Sequence, residues 1–285
     1  MDEVIIISGP TAAGKTAKAI ELALELGAEI ISCDSVQVYK HMDIGSAKPS
    51  QKELAQVPHH LIDVCPPSRQ FSVGEYVELS KIALEKIRKN KHRAIVAGGS
   101  GFYLKAWFSP VCDEIEIPKP VKDECEALQK IGGADALKEK LLSLDPCAAE
   151  IIDIQNPRRI RPALERVLAT SKTLKELRKN FESLPCPLGG FPKKYINIDL
   201  PDAELFCRAK LRAQKMVEGG LIEETKKLLL LGIEKNPSAC NAIGYRETIA
   251  AIKKNDFSTL AEDIFLSTKH LIKKQRKFLK TQISF

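Results

Sequence analysis

Residues 4–16 read VIIISGPTAAGKT, a short β-branched run followed by a glycine-rich loop. The run predicts a buried strand over Val4–Ser8, and the apolar spacing from Lys15 to Leu26, stopped by Gly27, predicts a helix. Between them Gly9, Pro10, Thr11, Ala12, Ala13, Gly14, Lys15 and Thr16 fit G-x-x-x-x-G-K-[ST] in full. The glycines let backbone N–H groups face inward, and the helix N-terminus adds positive potential, so the loop is an ATP-type cradle for a polyphosphate. Lys15 would reach terminal phosphate oxygens, and the Thr16 hydroxyl would ligate Mg²⁺, the cofactor expected. Many reactions use such a cradle, so the loop names the group held and not the chemistry.

Working outward, Glu29–Ser32, Arg93–Ala97 and Tyr195–Leu200 read as further strands, and Lys81–Asn90 as a charged helix. Strands alternating with helices argue for a parallel sheet covered on both faces, with right-handed crossovers. From Pro110 the character changes. Pro110, Pro118 and Pro120 punctuate a loop. Val121–Ile131 and Ala134–Leu144 then form a helical hairpin broken at Gly132-Gly133, and Pro146–Ile154 a short helix. Arg158–Ala169 and Asp202–Leu231 are helical patterns as well. The expected fold class is α/β, a P-loop NTPase-like parallel sheet flanked by helices, with an all-helical insertion domain. The core takes residues 1–110 and 156–285, and the insertion 111–155.

The chain has 285 residues, 44% of them hydrophobic, enough for a sizeable core. The apolar runs Val4–Ile7 and Leu228–Leu231 fall far short of the ~20 residues of a membrane span. The start Met1-Asp2-Glu3 is acidic, unlike a signal peptide, so a cytoplasmic chain is expected, and a monomer. The eight cysteines are scattered, Cys112 and Cys125 being the nearest pair, which excludes C-x-x-C zinc or redox sites. His59-His60 would point to opposite sides of an extended segment, a poor metal pair. The net charge of +7 is partly concentrated in 269–280, KHLIKKQRKFLK. There Leu271, Ile272, Phe278 and Leu279 recur at helical spacing, so a basic helix face is available to an anionic polymer such as RNA, or simply to solvent.

A typical P-loop NTPase has a later strand ending in Asp near the metal. Here the strand Arg93–Ala97 ends in Gly98-Gly99-Ser100. The suitable carboxylate is Asp34, after the second strand, where it would face the same crevice as the loop. It suits a metal ligand, a general base, or a cap for Ser35-Val36. The paired glycines suggest that something bulky packs against the backbone before Ser100.

GPTAAGKT, then DSVQVYKHMDIGSAKP (34–49), PHHLIDV (58–64) and GGSGFYLKA (98–106) resemble the tRNA dimethylallyltransferases, bacterial isopentenyltransferases that prenylate tRNA. NPRRIRPALERVL (156–168), RAKLRAQKMVEGGLIEE (208–224), NAIGYRE (241–247) and KKQRKF (273–278) continue the likeness in the family's order. The resemblance implies that the loop grips the diphosphate of dimethylallyl diphosphate with Mg²⁺, and that the acceptor is the exocyclic amine of the adenosine on the 3′ side of the anticodon. Asp34 would be the general base, Ser100 a hydroxyl beside the base, and Arg212 a pyrophosphate contact. Asp34, Ser35, Val36, Gln37 and Ser100 match contacts to the flipped adenosine in the anticodon stem-loop. Lys122, Arg158, Arg159, Ile160, Arg161 and Pro162, with Gly244, Tyr245 and Arg246, match runs that face the tRNA. No membrane and no obligate protein partner is implied. This chain has Ser100 where the family usually has Thr, and Pro162 where it places its second arginine, with Arg161 one position earlier. Phe278 stands where an indole is common, and Lys274 where Arg is common. A P-loop small-molecule or nucleoside kinase is the rival reading, since it shares the loop, the sheet and an Asp after strand two.

Overall fold

The computed structural model describes residues 3–111 and 115–283. Cys112, of the nearest cysteine pair, and Met1-Asp2 of the acidic start lie outside the described residues. Among the described residues five strands form one sheet: β1 (Val4–Ser8), β2 (Ala28–Cys33), β3 (His59–His60), β4 (Arg93–Gly98) and β5 (Lys193–Asn197). Its order is β3-β2-β4-β1-β5, and every pairing is parallel. The inner strands are buried along almost their whole length, which is why they read as continuous apolar runs.

The pleat divides their side chains. Ile5 and Ile7 pack with Ala19, Ile20 and Ala23 of helix α1 (Lys15–Leu26) on one face. Val4 and Ile6 point to the other, beside Tyr76, Val77, Leu84 and Ile87 of α3 (Val73–Lys89). Between these helices, α2 (Gln51–Leu54) is a single turn capped by Ser50. Helix α3 starts well before the expected Lys81. Ser72 accepts from the Glu75 amide and Glu75 closes the capping box, a signal that lay in the sequence as S-x-x-E. The turn α4 (Gly101–Lys105) follows β4.

Two compact units are present, residues 1–111 with 186–285, and Cys112–Pro185. The second is all-helical, as expected, but runs to Pro185 rather than 155. It contains α5 (Lys119–Leu144), α6 (Ala148–Ile151), α7 (Pro157–Thr170) and α8 (Leu174–Glu182). Helix α5 breaks at Gly132 and Gly133, where Gly133 takes φ 64°. The reason for the longer unit is packing: Ile160, Leu164 and Val167 of α7 and Leu174 and Leu177 of α8 share one apolar core with Cys125, Leu137 and Leu141 of α5.

After β5 the first unit continues with α9 (Asp202–Glu218) and α10 (Leu221–Leu230), where one helix was expected over Asp202–Leu231. Gly220 at φ 100° breaks it, a conformation that L side chains rarely adopt. A 3₁₀ turn (Ile233–Lys235), α11 (Pro237–Cys240), α12 (Tyr245–Lys254) and α13 (Leu260–Gln282) complete the unit. Among the described residues no helix is long and apolar enough to cross a membrane.

Candidate active site

The strand order places three loops side by side at the C-terminal end of the sheet. β4 lies between β2 and β1, so the loop holding Ser100 lies between Asp34 and the phosphate loop. These loops and the helices α9, α11 and α13 enclose a cavity of about 800 Å³ lined by Thr11, Lys15, Asp34, Ser35, Val36, Ser100 and Arg212. Phe71, Tyr103, Met216 and Phe278 give it an apolar wall. Tyr103 stacks on the buried Tyr76, with ring centroids 4.1 Å apart, so that part of the wall is rigid.

The phosphate loop has the backbone its glycines foretold. Gly9 has φ 147°, and a Cβ there would fall 1.9 Å from the carbonyl oxygen of Ile198. Gly14, at φ 91°, opens α1 with no side-chain cap, leaving amide dipoles for an anion. Lys15 Nζ donates to the Pro10 carbonyl at 2.7 Å. Its side chain keeps partial solvent access, but protein atoms crowd the ammonium, and that burial lowers its pKa to about 8. The Asp34 charge opposes this shift and the Arg212 charge adds to it. Burial also lowers the Arg212 pKa, again opposed by Asp34. The cavity therefore holds two incompletely neutralised cations, a set of charges that favours a polyanionic ligand.

Arg208 and Arg212, one turn apart on α9, have separated roles. Arg208 pairs with Glu204 at 2.6 Å on the exposed face, while Arg212 donates to Thr11 Oγ1 at 3.1 Å in the cavity. Asp34 both caps and lines. Its Oδ1 accepts from the amides of Val36 at 2.8 Å and Gln37 at 3.3 Å, and Oδ2 has no protein hydrogen-bond partner among the described residues. Ser100 Oγ accepts from the Ser35 amide at 2.8 Å. What packs against Gly98 and Gly99 is the protein itself: a Cβ on Gly98 would meet the Cys33 carbonyl at 2.0 Å, and one on Gly99 the Gln275 amide at 2.8 Å.

Several expected contacts are corrected. Gln37 does not line the cavity: its Oε1 accepts from Ser32 Oγ at 3.0 Å and its Nε2 donates to the Ala47 carbonyl at 3.4 Å. Tyr245 is fully buried, its ring against Gly45 and its hydroxyl on Glu224 Oε1 at 2.7 Å, so it cannot stack on a nucleotide. Gly244 donates its amide to Glu247 Oε2, and Arg246 binds Glu247 and Ser267 while remaining half exposed.

In the second unit Ile160 is core, and Arg161 is held by Glu165 at 2.8 Å and Gln129 at 3.0 Å. Lys122, Arg158, Arg159 and Pro162 are exposed. On α13, Arg276 is bound to Asp199, Asp202 and the Leu200 carbonyl and fastens the β5–α9 turn, so it is not part of a free basic stripe. Lys273, Lys274, Lys277 and Lys280 remain exposed, and Lys274 lines the cavity.

His60 and His59 do separate: His60 Nε2 meets buried Glu29 at 2.6 Å, while His59 Nδ1 meets the Val57 carbonyl at 2.8 Å. Among the described residues no group of three His, Cys, Asp or Glu forms a metal site. The Thr16 hydroxyl, on the first turn of α1, has no protein hydrogen-bond partner among the described residues. A hard oxygen in that position fits a Mg²⁺ shared with ligand phosphates better than a cage of protein ligands.

Two positioning side chains escaped the sequence reading. Glu224 accepts the amides of Asp43, Ile44 and Gly45, fixing the segment after the Asp34 turn. Gln275 joins two loops of the site. Both lie inside the motifs that carry the family likeness, and an acid three residues after Gly219-Gly220-Leu221 and an amide amid lysines were the available signals.

A family model described as IPP transferase matches residues 37–282. A protein of Opitutus terrae named tRNA dimethylallyltransferase is 42% identical, over 98% of this chain and 90% of its own length. One of the same name from Halalkalibacterium halodurans is 36% identical over 100% and 88%. The solved tRNA delta(2)-isopentenylpyrophosphate transferase of Staphylococcus epidermidis superposes with a TM-score of 0.68 at 32% identity, covering 100% of this chain and 92% of that one. A eukaryotic dimethylallyltransferase, described as acting on tRNA, superposes with a TM-score of 0.84 at 25% identity, over 98% and 70%.

Proposed function

The chain belongs to the IPP transferase family, and on that footing we propose that it transfers a dimethylallyl group from dimethylallyl diphosphate to the exocyclic amine of the adenosine 3′-adjacent to the anticodon of tRNA. The observation that carries the reading is one cavity holding both halves of the chemistry: Lys15 and Arg212 at the phosphate loop, Asp34 and Ser100 beside them. The relatives' names do not favour the kinase reading.

In the reaction the allylic C–O bond breaks, the amine nitrogen forms a bond to that carbon, and pyrophosphate leaves. The adenine amine is a poor nucleophile because its lone pair is delocalised into the ring. Asp34 Oδ2 accepts its proton, while Oδ1 stays in the turn. Lys15, Arg212 and the amides at the start of α1 stabilise charge on the departing diphosphate. Thr16 would hold Mg²⁺ through the substrate's phosphates; when bound, the ion would neutralise leaving-group charge. The apolar wall of Phe71, Tyr103 and Met216 suits the prenyl tail and keeps water from the allylic carbon. The adenosine must be flipped out of the loop stack, at a cost of a few kcal/mol by general estimates. Exposed Lys122, Arg158 and Arg159 on the helical unit, and Lys273 and Lys277 on α13, supply phosphate contacts. We place the reaction in the cytoplasm, on a monomer.

The test is incubation of the purified chain with Mg²⁺, dimethylallyl diphosphate and unmodified tRNA, followed by nucleoside mass spectrometry. A prenylated adenosine is expected. Unchanged tRNA, or phosphate transfer from ATP to a small molecule, would sink the reading.

A further inference from the structure

Gln275 lies on α13 amid the lysines, half-buried, with both ends of its amide in use. Its Oε1 accepts from the Thr11 amide at 2.8 Å, and its Nε2 donates to the Gly99 carbonyl at 3.0 Å. These backbone groups belong to different loops: the phosphate loop after β1, and the loop after β4 that presents Ser100. Gly99 permits the approach, since a Cβ there would sit 2.8 Å from Gln275 Nε2. The contacts continue on either side. Arg212 Nη1 donates to Thr11 Oγ1 at 3.1 Å, and Ser100 Oγ takes the Ser35 amide at 2.8 Å. A bonded path thus runs from a cation of the diphosphate end to the turn that holds Asp34.

We propose that Gln275 is a positioning residue for prenyl transfer, setting the separation between the donor's diphosphate and the Asp34–Ser100 pair that receives the acceptor amine. The inference rests on the transfer reading above. A displacement reaction depends steeply on that separation, and a 1 Å misplacement can cost about 100-fold. A primary amide suits the task because it holds a donor and an acceptor in one plane. Glutamate could not donate to Gly99, and methionine, of similar length, can bond to neither loop.

The experiment is steady-state kinetics with dimethylallyl diphosphate, Mg²⁺ and unmodified tRNA on the wild type, Gln275→Met, Gly99→Ala and the double variant. An inactive wild type would overturn the transfer reading and this proposal with it; an active wild type isolates the proposal. Gln275→Met is expected to lower kcat more than about fivefold with both substrates saturating, while KM for tRNA stays within about twofold. Gly99→Ala, whose Cβ would press the same amide at 2.8 Å and the Gly9 carbonyl of the phosphate loop at 3.0 Å, should lower kcat at least as much, and the double variant should lose no more than Gly99→Ala alone. A smaller fall in kcat, a loss carried by KM for tRNA, or single losses that multiply would each overturn the proposal. If one variant does not fold, the other decides by the same kcat and KM criterion.

Discussion

Ser35 and Ser100 are tied twice across adjacent loops: the Ser35 amide donates to Ser100 Oγ at 2.8 Å, and Ser100 Oγ donates to Ser35 Oγ at 3.1 Å. The hydroxyl of Ser100 therefore fixes the turn carrying Asp34, besides facing the cavity. Ser100→Ala removes both bonds to Ser35 and should lower kcat/KM by roughly 10-fold or more, each bond contributing about 1 kcal/mol. Ser100→Thr keeps the hydroxyl and should stay within about threefold of wild type. Equal losses in both variants would argue that bulk, and not the hydroxyl, matters here.

Asp34 divides its two oxygens between structure and chemistry. Asp34→Asn retains Oδ1 as acceptor for Val36 and Gln37 but cannot take a proton. It should lower kcat by about 100-fold or more with tRNA affinity and thermal midpoint little changed. Asp34→Ala should lose as much activity and in addition about 1 kcal/mol of stability from the uncapped turn. An active Asp34→Asn enzyme would remove the carboxylate from the proposed base role.

Lys15 gives a pH signature. Its folded pKa of about 8 lies below the ordinary 10.5, so it is charged in both folded and unfolded chains below pH 8, and the native state bears the burial penalty in full. Between these values the folded form has released a proton that the unfolded form still binds, so the ligand-free protein should gain stability as pH rises through that window. Diphosphate affinity should run the opposite way and fall as pH rises past about 8, with proton uptake on binding in calorimetry. Lys15→Met should abolish diphosphate binding yet raise the thermal midpoint of the ligand-free protein by a few degrees. A midpoint that drops instead would show that the lost hydrogen bond to the Pro10 carbonyl outweighs the burial penalty.

Tyr245 acts through the core. Tyr245→Phe removes one bond to Glu224 and should cost about 1 kcal/mol with tRNA affinity unchanged. Tyr245→Ala should cost roughly 3–5 kcal/mol in denaturant titration. A tRNA-specific defect in a stable Tyr245→Phe protein would show that the hydroxyl serves the RNA and not only the core.

Within the helical unit, exposure separates neighbours on α7. Reversing Arg158 and Arg159 to Glu should weaken tRNA binding and flatten its dependence on salt, with slope reduced by about one per lost phosphate contact. Arg161→Ala should chiefly loosen the contact with Gln129 and Glu165 and lower thermal stability. Filter binding across a salt series distinguishes them.

The sheet was legible because its inner strands and the phosphate loop are coded locally, by β-branched runs and by glycines whose φ values nothing else fits. Asp34 and Ser100 were legible for a related reason: each sits just past the end of a recognisable strand, so topology brings it to the cavity, while Lys15 is marked by the loop motif at the start of α1. What failed to show is long-range. Tyr245 and Ile160 look like contact residues inside matched motifs, yet Gly45 makes room for the Tyr245 ring and the α5–α7 core takes Ile160. The extent of the helical unit escaped for the same reason, because nothing local in α7 says which core it joins. Arg276 resembles its lysine neighbours until the carboxylates of the β5–α9 turn are seen around it.

The Gln275–Thr11 bond joins residues 264 positions apart. On a ribosome the phosphate loop emerges early, followed by β2 and β4, and must wait for β5 to pair with β1 and for α13 to reach Thr11. Closing such distant contacts is slow in chain-entropy terms. A nascent chain shorter than 275 residues thus carries a recognisable phosphate loop without its finished geometry. Ribosome-bound intermediates should be unable to engage diphosphate productively, so the order of translation itself withholds transfer activity until Gln275 has been made and can reach Thr11.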